Sequence, residues 1–302
     1  MIEQKTSPAP TLSPARIWVM AARPPTLPAA IVPVIVGAAI AAALGGFQLL
    51  PVLAALIAST LIQIGTNFAN DYFDFKKGAD TAERLGPTRV TQSGLLRPEQ
   101  VRNAMVLTFG LAALCGLYLV IIGGLPILII GLLSIAAGVL YTGGPWPLGY
   151  NGLGDVFVFV FFGLVAVCGT VFVQTNTVPL LAILASLPVA AIVTAILVVN
   201  NLRDAHTDKV AGKRTLAVIF GTGFACAEYV LLIVGAYITL PIIWQAGGVS
   251  AWVLLPLLTL PLAVRLIRTV LRENGAPLNR ALKGTGQLEL AFGLLLALGI
   301  VL

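Results

Sequence analysis

Apolar runs, each about the length of one bilayer crossing, follow one another along almost the whole chain, and polar residues gather in short stretches between them. A helix crossing the hydrocarbon core needs roughly 20 apolar residues at a rise of about 1.5 Å each. Segments of that kind fall near 26–45, 51–73, 103–122, 125–142, 153–174, 179–202, 217–245, 250–271 and 284–302. The pattern predicts an all-α polytopic membrane protein with nine transmembrane helices. Pro126, Pro188, Pro241, Pro256 and Pro261 lie inside these segments, and glycines are frequent, so kinked and closely packed helices are expected.

Charge placement tests this count. All 18 Lys and Arg lie in four stretches: Lys5 to Arg23, Lys76 to Arg102, Arg203 to Arg214 and Arg265 to Lys283. With the N-terminus cytoplasmic, the last three follow spans two, six and eight. The connections near 46–50, 123–124, 175–178 and 246–249 contain neither residue. Basic residues mark the cytoplasmic side, so the chain is expected N-in and C-out. Only 10% of residues are charged, against about 25% in soluble domains. A nucleic-acid binder would spread basic residues over a soluble face, so no nucleic-acid partner is implied.

The N-terminal stretch, rich in Ser, Pro and Thr, has no apolar core and no cleavage site. It predicts a disordered cytoplasmic tail over 1–15, with 16–302 as one transmembrane domain. Cys115, Cys168 and Cys226 sit in apolar runs and read as small hydrophobes.

Two acidic clusters carry the chemistry. The first runs from Asn67 to Asp80 and the second from Asn200 to Thr215. On a helix Asn67, Asp71 and Asp74 share a face, as do Asn201, Asp204 and Asp208, and Asn70 lies one turn before Asp74. Carboxylates with amides beside them are hard-oxygen ligands suited to Mg²⁺. Uncompensated carboxylates at a membrane boundary are costly, and two facing clusters bridged by Mg²⁺ and a diphosphate would compensate them. The blander reading is acidic helix ends that stop at the headgroups, but the spacing occurs twice. Lys77, Arg89, Lys213 and Arg214 follow the clusters and are candidates for binding the diphosphate. Together these features suggest an enzyme that ionises a lipid diphosphate.

The connection from Tyr141 to Asp155, YTGGPWPLGYNGLGD, has no basic residue, so topology does not explain its polarity. Asp155 is either a helix cap or a substrate contact. His206, Glu228 and Glu289 are left without a role.

At these residues the chain resembles the UbiA superfamily of intramembrane aromatic prenyltransferases. Asn70, Asp71 and Asp74 match the start of that family's NDxxDxxxD motif; Gly78 replaces the next Asp, and Asp80 follows two residues later. Asp204 and Asp208 match its DxxxD motif. NDYxDxxKGxD, RPxTLPAAxxPVxxG from Arg23 to Gly37, and YTGGPxPLxYxGLGD look like the branch that prenylates 1,4-dihydroxy-2-naphthoate. The resemblance implies nine helices around a central cavity and Mg²⁺-dependent polyprenyl transfer with release of diphosphate and CO₂, in menaquinone or phylloquinone synthesis. Asp71, Asp74, Asp204 and Asp208 would be catalytic, with Asn67, Asn70, Asp80 and Asn201 completing the Mg²⁺ ligands. Tyr72, Tyr141 and Tyr150 are candidates to face an allylic cation. Arg23, Tyr141, Tyr150 and Asp155 are candidates to hold the aromatic acceptor.

Other readings are open to test. The acceptor is alternatively 4-hydroxybenzoate, homogentisate or a porphyrinoid. A secondary transporter would carry its carboxylates near the midplane, and these lie at span ends. The single DG-containing acidic motif of a CDP-alcohol phosphotransferase is absent. The expected location is a bacterial plasma membrane, with the site open to the cytoplasm.

Overall fold

The computed structural model describes residues 12–79 and 85–302. Most of the predicted tail, together with Asp80 and Arg84, lies outside the described residues. Within them the chain is helical and contains no strand.

Helix α1 (Pro14–Ala22) starts inside the predicted tail, where the Ser13 hydroxyl accepts from the Arg16 amide and Pro14 stands in the first turn. It stops at Arg23, which takes a left-handed conformation (φ 54°) so that its N–H returns to the last turn. The chain then bends by 52° into α2 (Pro28–Ala43). Helices α3 (Leu49–Lys76), α4 (Pro98–Leu140), α5 (Gly154–Thr175), α6 (Leu180–Val210), α7 (Thr222–Ala246), α8 (Ala251–Arg272) and α9 (Leu278–Val301) follow. Among the described residues seven helices are long and apolar enough to cross a membrane, and eight if the bent pair ending in α2 counts as one span. The protein is therefore an integral membrane protein by its helices.

The difference from the nine expected segments has a local cause. Segments 103–122 and 125–142 both fall in α4, with no loop between them. Gly124 breaks the helix there with φ 66° and ψ −153°. The Phe109 ring lies 3.3 Å from where a Cβ on Gly138 would stand. A straight helix would hold those residues ~43 Å apart, so α4 folds back on itself at Gly124 as two antiparallel arms.

Helices α2, α6 and α9 are the most buried, as central members of the bundle should be. Their core joins Ile192, Val198, Leu288 and Phe292 to Val32 of α2 and Tyr229 of α7. Tyr229 and Thr285 satisfy each other's buried hydroxyls at 2.9 Å. Within α5 a π-helical stretch, Phe159–Val165, turns Phe161 and Phe162 toward an internal cavity and seats Gly163 on α6. The C-terminal end of α5 is tied to the α2–α3 connection by Gln174, which accepts from the Gln48 amide at 3.1 Å and receives the Gln48 side-chain amide at 3.0 Å.

Small residues set the helix spacing, as is usual where lipid supplies no hydrophobic drive between helices. A Cβ on Gly163 would stand 2.0 Å from the Cβ of Ala190 and 2.6 Å from its Cα. Neither atom has freedom to give way, so Gly163→Ala should force α5 and α6 apart at about 1–3 kcal/mol. Thermal unfolding in detergent should show a lower Tm for Gly163→Ala and no loss for Gly235→Ala, where an added Cβ meets nothing within 4 Å. Equal Tm values for both would contradict this packing account.

Candidate active site

Both acidic clusters end their helices by the same device. After Asp74, α3 runs to Lys76 and the chain turns through Gly78 at φ 65°, with the Ala79 amide returning to the Asp74 carbonyl at 2.9 Å. After Asp208, α6 runs to Val210 and the chain turns through Gly212 at φ 74°, with the Lys213 amide returning to the Asp208 carbonyl at 2.8 Å. Only glycine takes this left-handed turn without strain. The correspondence aligns Asn67 with Asn201, Asn70 with Asp204 and Asp74 with Asp208. It is a residue-level repeat between the first and second halves of the chain.

The turn at Gly212 throws Lys213 back across the helix ends. Its Nζ lies 3.7 Å from Asp208 Oδ1 and 3.5 Å from Asp74 Oδ2, so one ammonium joins the two clusters. Asp74 also receives Arg89 Nη2 at 2.8 Å and the Tyr150 hydroxyl at 2.7 Å. The Tyr150 ring faces two cations, Lys213 Nζ at 4.8 Å and Lys77 Nζ at 4.9 Å from its centroid. Lys77 donates to the Thr142 carbonyl at 2.7 Å. Partial desolvation lowers the Lys77 ammonium from its ordinary range, opposed by Asp74 and reinforced by Lys213.

Asp71 and Asp204 face other partners. The carboxylate of Asp71 accepts the amides of Val90 and Thr91 at 3.2 and 3.1 Å, which pins the segment carrying Arg89 onto α3. Asp204 is gripped by Arg203, whose Nε donates at 2.8 Å. The same guanidinium reaches Asn200 and Asn279, each at 2.8 Å, and Asn279 donates in turn to the Leu85 carbonyl at 2.9 Å. Arg203 and Asn279 thus tie the second cluster to the segment that follows the first. Neither was singled out in the sequence. A buried Arg beside a motif Asp is a usable signal, whereas Asn279 offers none before the fold is known.

The amides point toward a cavity. Asn67 donates to the Ala22 carbonyl and the Thr26 hydroxyl, both at 2.9 Å, and Asn70 accepts from the Thr142 hydroxyl at 3.0 Å. Asn67, Asn70 and Tyr141 line one end of a cavity of about 430 Å³, whose other walls are mostly apolar residues of α2 to α6, with Ser59, Gln63, Thr66, Ser134 and Thr170 among them. The Asn67 bonds hang the Arg23–Thr26 turn on α3 beside that end. Asp155 is buried in the first turn of α5 with Oδ1 unpartnered, near the Tyr141 hydroxyl, which would stand 2.8 Å from a Cβ on Gly154.

The remaining candidates are more scattered. Asn201 is buried on α6, and Tyr72 packs with Phe68 and Ala21 in a core cluster and does not itself line the cavity. The Arg214 amide donates to the Tyr150 carbonyl at 2.9 Å while its side chain is exposed. His206 is exposed, Glu228 is half-buried, and Glu289 is fully buried with both oxygens unpartnered.

Among the described residues no three carboxylate, histidine or cysteine side chains converge to hold a metal by themselves. Mg²⁺ does not require such a cage, because it keeps waters and takes one or two carboxylates plus substrate phosphates. Asp74 and Asp208, already sharing one cation between them, fit an ion that arrives with a diphosphate.

The model of the UbiA prenyltransferase family matches residues 30–292. A relative from Escherichia coli (strain K12), 1,4-dihydroxy-2-naphthoate octaprenyltransferase, is 38% identical over 298 residues, covering 96% of this chain and 97% of its own. UbiA prenyltransferase domain-containing protein 1 from Xenopus tropicalis is 33% identical, covering 94% of this chain and 81% of its own. The fold is shared with a UbiA homolog from Archaeoglobus fulgidus bound to DMAPP and Mg²⁺, at TM-score 0.68 and 15% identity, covering 94% of this chain and 98% of that one. On the family match and these near full-length relatives, the chain belongs to the UbiA prenyltransferase family.

Proposed function

We propose that this protein transfers a polyprenyl group from its diphosphate to 1,4-dihydroxy-2-naphthoate, releasing diphosphate and CO₂, in menaquinone or phylloquinone synthesis. The observation that carries the reading is Lys213 held between Asp74 and Asp208 beside an apolar cavity. It is supported by relatives named for that octaprenyl transfer in Escherichia coli and Bacillus subtilis.

Lys77, Arg89 and Lys213 bind the diphosphate, with exposed Arg214 at the rim. Mg²⁺ held by Asp74, Asp208 and the neighbouring Asp71, Asp204, Asn67, Asn70 and Asn201 would neutralise charge on the departing diphosphate. The bond between the prenyl C1 and its oxygen breaks, and the electron pair leaves with the diphosphate. The apolar cavity keeps water from the allylic cation and accepts the tail. The electron-rich ring carbon bearing the carboxylate then attacks C1, and loss of CO₂ returns the electron pair that restores aromaticity. Arg23, Tyr141 and Asp155 hold the acceptor near the cavity end lined by Asn67 and Asn70.

The same reading includes nine crossings, counting the two arms of α4 separately and α2 as one. The N-terminus and both clusters then face the cytoplasm of a bacterial plasma membrane, as the basic stretches favour.

The direct test incubates membranes containing the protein with 1,4-dihydroxy-2-naphthoate and geranylgeranyl or longer prenyl diphosphates. A prenylated, decarboxylated naphthol should be detected by mass spectrometry with Mg²⁺ and vanish with EDTA. Product only from 4-hydroxybenzoate or homogentisate would overturn the acceptor and leave prenyl transfer standing. Replacing Asp71, Asp74, Asp204 or Asp208 singly by Ala should each lower kcat by ~100-fold or more, through lost charge stabilisation. Near-normal turnover in a variant lacking both Asp204 and Asp208 would sink the two-cluster mechanism.

A further inference from the structure

Three glycines on the cavity wall are not explained by packing. Gly116, Gly131 and Gly169 line the cavity, and a Cβ added at any of them would meet nothing within 4 Å. Gly65 and Gly138, on the same bundle wall, are different: a Cβ would stand 2.9 Å from the Phe109 ring at the first and 2.5 Å from the Thr66 hydroxyl at the second. Those two glycines let helices touch. Glycine inside a helix costs about 1 kcal/mol relative to alanine, and at Gly116 and Gly131 no contact offsets that. What they supply is space.

The hairpin register places two of them together. Phe109 on the first arm of α4 lies against Gly138 on the second. The arms are antiparallel, so Gly116, seven residues on, stands level with Gly131, seven residues back. Helix α3 comes to the same level with Ala58 and Ser59, also on the cavity wall, because Gly65 lies by Phe109 and Thr66 by Gly138. This level is ten residues from Tyr141 along the second arm, or ~15 Å from the polar end of the cavity. Leu117 and Leu132, next to the two glycines, line the cavity and are 55% and 61% exposed. The cavity therefore reaches the outer surface of the bundle here, at the depth of the apolar helices.

We propose that Gly116 and Gly131 set the tail length the protein accepts: their open space is the passage by which a prenyl chain longer than the cavity leaves between the arms of α4 for the lipid. This rests on the prenyl-transfer reading and adds which residues govern its donor range. A short geranyl tail ends before this level, whereas an octaprenyl tail must cross it.

The experiment compares kcat/KM for geranyl and octaprenyl diphosphate, with 1,4-dihydroxy-2-naphthoate, in the purified full chain and in Gly116→Leu, Gly131→Leu and Gly110→Leu. Leucine is a good helix former, its Cβ meets nothing within 4 Å at these positions, and a ratio within one variant is independent of the folded fraction. Both cavity variants should disfavour octaprenyl relative to geranyl by about tenfold or more. Gly110→Leu, exposed and off the cavity, should keep the wild-type ratio. Equal losses for both donors, or an unchanged ratio, would overturn the length gauge while leaving prenyl transfer intact. A wild-type chain that uses neither donor would overturn both.

Discussion

The arrangement depends on one ammonium, Lys213, held between the carboxylates of Asp74 and Asp208. Two carboxylate oxygens that both contact one ammonium lie at most ~7 Å apart, and at that separation they repel by about 2 kcal/mol at an effective dielectric of ~20, more if closer. Helices α3 and α6 therefore do not bring their acidic ends together without a cation between them. The glycine turn that ends α6 supplies that cation from the chain itself. Buried ion pairs are weak sources of net stability, yet removing one partner leaves an uncompensated charge worth about 3–5 kcal/mol. Such a cluster is poorly designed to hold a bundle together and well suited to exchange partners. A diphosphate with its metal presents charges of both signs to this mixed group of carboxylates and ammoniums.

Other features follow from that contact. Arg89 and Tyr150 complete the partners of Asp74, and each is itself fixed from a distance. Asp71 holds the Arg89 segment by two backbone amides, and the Arg214 amide holds the Tyr150 carbonyl. The side-chain amides of Gln63, Asn67 and Asn70 gather at one end of the cavity, and its remaining walls are largely apolar, with Ser59, Ser134 and Thr170 as scattered hydroxyls. That division suits an amphiphile whose charged head reacts and whose tail needs only a dry path.

Much of this was legible in the sequence because the governing patterns are local. Apolar runs of bilayer length located the helices, and the repeated spacing of Asp and Asn marked both clusters. The repeat itself was nearly readable, since Asp74 and Gly78 stand at the same spacing as Asp208 and Gly212. What escaped depends on rotation and on distant contacts. The link from Arg203 to Asn279 joins residues 76 positions apart, and no local pattern announces it. Two arms of one hairpin read as two spans, whereas the backbone passes between them with a single non-helical residue, Gly124. Tyr150, expected beside the acceptor, has its hydroxyl on Asp74 and its ring against two lysines, a position set by the loop and not by spacing.

The central claim is that Asp74 and Asp208, from opposite halves of the chain, serve one charge-binding site. A double-mutant cycle on kcat/KM with Asp74→Asn and Asp208→Asn tests it most directly. If the two act as a unit, the double variant loses little more than the worse single variant. Losses that simply multiply would mean independent roles and would contradict the account.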